Sequence, residues 1–85
     1  MKRIHIVRHE RTQKATHHHY TEIIGLYSTY SIAEKVMKDV IDTLKETQDI
    51  TSETYLSSIN AYQYDSADAR DIYFIHSKVL DNDFS

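Results

Sequence analysis

Cysteine, proline and tryptophan are missing from this 85-residue sequence, and glycine occurs once, at Gly25. Without cysteine there is no disulfide framework, no thiolate zinc site and no cysteine nucleophile. One glycine is too few for the loops that cradle phosphate, which need several residues without a Cβ. No apolar run approaches the ~18 residues of a membrane span, and Met1-Lys2-Arg3-Ile4-His5 lacks the hydrophobic stretch of a secretion signal. What remains is 40% hydrophobic and 27% charged, an ordinary globular balance. At this length the expectation is one domain over residues 1–85, cytoplasmic, with a modest core and no direct contact with a membrane.

The net charge of −3 conceals a strong asymmetry. Residues 1–19 carry +4, from Lys2, Arg3, Arg8, Arg11 and Lys14 against Glu10, whereas residues 20–85 carry −7. The acidic excess is densest at Asp65, Asp68, Asp71, Asp81 and Asp83. Nucleic-acid-binding domains are usually basic overall, so direct nucleic-acid binding is disfavoured. A surface of one sign instead steers a partner of the opposite sign.

Residues 2–9 are rich in β-branched side chains and read as a strand, followed by a polar loop over 10–19 and a second strand over Tyr20–Tyr27. A loop connection makes an antiparallel hairpin the default, and Gly25 marks a bulge or a close backbone approach. From Ser31 to Glu46 the period becomes helical: Ile32, Val36, Val40 and Leu44 recur every four residues, with Ala33, Met37 and Ile41 alongside. Ser31 and Glu34 have capping-box spacing. Residues 47–54 read as a connection, Tyr55–Tyr64 as a third strand, 65–71 as an acidic turn and 72–76 as a fourth strand, with a continuation to Leu80 left open. The expected fold is α+β: a small antiparallel sheet in β-β-α-β-β order with one amphipathic helix on one face.

Three motifs invite a chemical reading. Arg8-His9 matches the Arg-His of the histidine phosphatases, but Glu10 stands where that family has glycine, and its carboxylate would repel a phosphate. His17, His18 and His19 carry imidazoles, and His5 and His9 share a strand face; yet no helical His-x-x-x-His spacing supports a metal centre, so no metal or other cofactor is expected. No strand–turn–helix elbow presents a serine or threonine nucleophile. The sequence therefore favours a protein that is not an enzyme over a metal-binding or phosphate-handling one.

One helix covers one face of a sheet, and seven tyrosines are too many to hide beneath it. A partner surface is therefore expected from Tyr62 and Tyr64 with Asp65, Asp68 and Asp71, and a homodimer through a sheet edge or face is compatible with the same pattern. Residues 2–9, Thr21–Thr29 and Ala33–Val36 resemble small uncharacterised proteins of phages and mobile elements of Firmicutes, with the likeness covering residues 2–47. That resemblance implies a strand–strand–helix–strand fold and no assigned chemistry. By analogy of size, phage-like resemblance and lack of chemistry it suggests an anti-CRISPR-like inhibitor that occludes a larger protein or nucleoprotein, such as a Cas or other host-defence protein. The alternative is a small housekeeping or structural accessory domain. If the three consecutive histidines are a solvated loop, replacing His17, His18 and His19 together by alanine leaves the thermal melt unchanged; stoichiometric metal in protein purified without a metal column would show otherwise.

Overall fold

Two polar hairpins and one amphipathic helix set the architecture. A computed structural model describes residues 2–80, in the order β1 (Lys2–Gln13), β2 (His19–Tyr27), α1 (Tyr30–Thr47), β3 (Ile50–Leu56), β4 (Ala61–Ser66) and β5 (Ala69–Leu80). The strands form one antiparallel sheet in the spatial order β2-β1-β5-β4-β3. The fold is α+β as expected, with a fifth strand: the order is β-β-α-β-β-β. Asp81, Asp83 and the rest of the tail lie outside the described residues.

The extra strand comes from a segment that carries no apolar alternation. Residues 50–56, Ile-Thr-Ser-Glu-Thr-Tyr-Leu, are mostly exposed, because β3 is an edge strand with few neighbours to bury it. The expected third strand, Tyr55–Tyr64, is broken by a turn at 57–60. Asn60 adopts φ 50°, a left-handed conformation that asparagine tolerates, and the Ile59 N–H donates to the Leu56 carbonyl at 3.2 Å. The loop expected at 10–19 shrinks in the same way. Its flanks pair through polar contacts, Thr12 with His19 at 2.9 Å and Arg11 with Asp71 at 3.4 Å, which hydrophobic periodicity does not register.

The helix starts at Tyr30, one residue earlier than its periodicity indicates. Its cap is Thr29 in extended conformation with no side-chain cap bond, so Ser31 and Glu34 form no capping box. Tertiary contacts hold the first turn instead: the Tyr30 ring meets His5 edge-on at 5.6 Å, and its hydroxyl accepts from Asn60 Nδ2 at 3.2 Å. The buried helix face is Ala33, Met37, Ile41 and Leu44. Val40 is half-buried and Ile32 is 51% exposed, so the stripe is narrower and rotated from the one expected. This face packs on Val7, Tyr64 and Tyr73, with Ile24, Tyr27 and Ile75 at the margins.

Gly25 lies at a β-bulge: Val7 pairs with Gly25 but Arg8 pairs with Ile23, leaving Ile24 as the extra residue on β2. The Tyr27 ring lies over Gly25, where a Cβ would fall 2.7 Å from ring carbons. The close approach is to the far end of a side chain that can swing aside, so glycine lets the Tyr27 ring lie here but is not demanded by the backbone.

Met37 is 3% exposed and Ile32 is not in the core. Met37→Ala is expected to cost about 2–5 kcal/mol. At ~4–8 °C per kcal/mol for a domain of this size, that lowers the melting temperature by at least ~8 °C. Ile32→Ala should change it little, and calorimetry on the two variants measures the contrast.

Candidate functional site

Antiparallel pairing determines which side chains share a face, and here it places every strand tyrosine on the helix side. The register aligns His5 with Tyr27, His9 with Glu22 and Tyr73, and Arg11 with Tyr20 and Asp71. It continues through Tyr62 opposite Tyr73, Tyr64 opposite Asp71, and Tyr55 opposite Tyr62. Tyr20, Tyr27, Tyr55, Tyr62, Tyr64 and Tyr73 thus line one surface. The tyrosines that escape burial do so beyond the edge of the helix, not on the far face of the sheet.

Helix α1 packs on β1, β2 and β5, and the β3–β4 wing projects past it. A groove of about 230 Å³ runs between helix and wing, lined by Lys38, Ile41, Asp42, Lys45, Tyr62 and Tyr64. It continues onto β3 past Glu53, Thr54 and Tyr55. Tyr64 forms the buried floor, Tyr62 is half-buried and Tyr55 is 53% exposed. The Tyr55 and Tyr62 rings meet at 5.1 Å, and Lys45 Nζ lies 5.4 Å from the Tyr64 ring centre while pairing with Glu53 at 2.6 Å. Burial raises the Tyr64 hydroxyl above its ordinary pKa, so it stays a neutral donor and acceptor. Lys38 and Lys45, which helical periodicity assigns to the solvent side, form the opposite wall.

The expected partner residues are only partly brought together. Tyr62 and Tyr64 share the groove. Asp65 points to the other face of the sheet, where it accepts from Arg70 Nε at 3.0 Å and Gln63 Nε2 at 3.1 Å and lies 3.5 Å from Lys14. Burial alone would raise its pKa, but these hydrogen bonds and the Arg70 and Lys14 charges lower it below the ordinary carboxylate range. Asp68 is exposed in the β4–β5 turn. Asp71 is 1% exposed and cannot belong to a displayed acidic cluster. The structure therefore replaces the expected acidic patch by one carboxylate in each of three environments, because Asp65 and Asp71 lie on opposite faces of the hairpin.

Asp71 has a different task. His9 Nε2 lies 2.6 Å from its carboxylate and His9 Nδ1 lies 3.0 Å from Glu22, so a protonated His9 donates from both ring nitrogens. The imidazole stacks on Tyr73 at 4.5 Å, meets Tyr20 edge-on at 6.1 Å, and has Arg11 beyond Asp71. Burial by itself lowers the His9 pKa, but the hydrogen bonds and negative charges of Asp71 and Glu22 outweigh it and raise the pKa above the ordinary value. Burial, aided by the Asp71 charge, also raises Tyr73 strongly. Periodicity does place His5 and His9 on one buried face, but only the register shows that their partners are Ser77 at 2.7 Å and this carboxylate pair. His17, His18 and His19 are exposed, and among the described residues no three metal-ligating side chains are placed to hold a metal ion.

Comparison with family models, curated proteins and solved structures finds no match to the chain.

A histidine whose folded pKa is raised stabilises the protein fully below its unfolded pKa of ~6.5, and the contribution disappears as pH climbs through the folded value. Unfolding free energy from urea titrations should therefore decline as pH rises above ~6.5. His9→Gln should flatten that slope. Asp71→Ala, which strands a buried charge, is expected to cost about 3–5 kcal/mol.

Proposed function

We propose that the protein acts as a stoichiometric binding protein that grips a larger protein through the aromatic groove between α1 and the β3–β4 wing. The observation that carries this reading is the partly uncovered wing, which leaves Tyr55 and Tyr62 above the buried Tyr64 and beside a free strand edge. An extended segment added along β3 would gain main-chain hydrogen bonds from that edge while its side chains enter the groove. Tyrosine suits the task because it supplies a large contact area with little entropy to lose.

His9 is engaged within the protein at both ring nitrogens, by Asp71 and Glu22, which fits a part in holding the strands together. The narrower reading, a phage-type inhibitor that occludes a host-defence protein or nucleoprotein, rests on the sequence resemblance over residues 2–47. Asp68, exposed near the far end of the β3–β4 wing, is the one expected acidic contact that remains free to steer a basic partner.

The test is a titration of the captured partner by calorimetry. Binding should saturate at a fixed molar ratio. Tyr62→Ala and Tyr55→Ala should each weaken it at least about tenfold, mainly through faster dissociation. Asp39→Asn, exposed on the helix, serves as the control. An effect that persists at strongly substoichiometric amounts indicates an enzyme and overturns the proposal, as does unchanged affinity in both tyrosine variants.

A further inference from the structure

The face of the sheet opposite the helix is built differently from the groove. The ladder places Ile4, Ile6, Arg8, Glu10 and Thr12 of β1 on this side, flanked by Ile23 and Leu26 of β2 and by Ile72, Phe74 and His76 of β5. Ala61 and Leu56 extend the same row onto the wing, the Asp65–Arg70 pair stands at one end of the face, and His19 lies 3.6 Å from Glu10. Ile23 is 59% and Leu26 56% exposed, and no element of the described residues covers them. At its centre Arg8 leans over the Phe74 ring, 5.9 Å from its centroid, and the Arg8 Nε–H is buried with no acceptor. A buried guanidinium donor without a partner is costly, and a carboxylate is its natural complement.

We infer that this face binds a second copy of the chain, sheet against sheet. Self-complementarity favours that occupant. Glu10 lies two residues beyond Arg8 on the same face of β1, and Ile72 lies two residues before Phe74 on β5 in the matching rows. A two-fold axis lying in the interface and crossing the strands between these rows sets β1 antiparallel over β1. Each Arg8 then faces Glu10 of the second copy, and each Phe74 faces Ile72. The area is adequate: five strands about 4.8 Å apart and about 25 Å long offer roughly 600 Å² per copy. The pair buries about 1,200 Å², the lower limit of a standard stable interface. The two helices lie on the outside, so the dimer presents both tyrosine grooves to solvent and can engage a repeated partner with the avidity of two linked sites.

The experiment is sedimentation equilibrium over a range of protein concentrations, with circular dichroism confirming that each variant is folded. The native chain should dimerise. Ile23→Lys with Leu26→Lys, two exposed positions, should give a folded monomer. Arg8→Glu should weaken the dimer at least about tenfold by setting like charges opposite each other, and Arg8→Glu combined with Glu10→Arg should restore it. A native chain that stays monomeric overturns the inference. So does a dimer that survives both the lysine pair and Arg8→Glu, which places the contact at a strand edge, or a charge swap that brings no recovery in a folded protein.

Discussion

A single helix is too narrow to roof five strands, and most of what distinguishes this molecule follows from that mismatch. With side chains an α-helix is about 10–12 Å across, whereas five strands spaced ~4.8 Å apart span roughly 24 Å. Helix α1 satisfies β1, β2 and β5, and the β3–β4 wing is left partly bare. Among the described residues, the same shortage leaves the second face of the sheet without a covering element. Two exposed surfaces of different character result: a tyrosine groove on the helix side and, on the other, an aliphatic row around Arg8 and Glu10 with the Asp65–Arg70 pair at one end.

The buried polar cluster occupies the corner of the helix face where aliphatic packing gives out. Val7, Met37 and Ile41 make a conventional apolar core, but two residues further along β1 the chain places His9, and beyond it Arg11. Their charges are answered by Glu22 from β2 and Asp71 from β5, so three adjacent strands are tied by charge-assisted bonds. A pair of this kind contributes less net stability than hydrophobic packing would, but it fixes register, since a one-residue slip of β5 would carry Asp71 to the opposite face. In a fold assembled from long antiparallel hairpins, with many near-equivalent pairings, that specificity has structural value.

The two surfaces also differ in chemistry. The groove borders an edge strand and presents amphipathic aromatics, the composition on which the proposed binding role rests. The far face carries an aliphatic row centred on a cation and an anion two residues apart, a pattern that matches itself under two-fold symmetry.

The sequence by itself determined the α+β class, the first hairpin, the amphipathic helix and the bulge at Gly25. Each is written in local signals: β-branched runs, a four-residue apolar period, one residue without a side chain. It was silent on β3 and on the outer half of β1, because edge strands and charge-paired strands lack the apolar alternation that reveals a strand. Tyr62 and Tyr64 could be placed on one face of their strand from the period of two. Which face that was, and that Tyr20, Tyr55 and Tyr73 join them there, depends on the registers between strands far apart in sequence. Asp71 shows the difference most sharply. In the chain it belongs to an acidic run with Asp65 and Asp68; in the fold it is buried against His9, 62 residues away in sequence. Only tertiary structure decides such a case, because a carboxylate is displayed or buried according to what the antiparallel ladder sets opposite it.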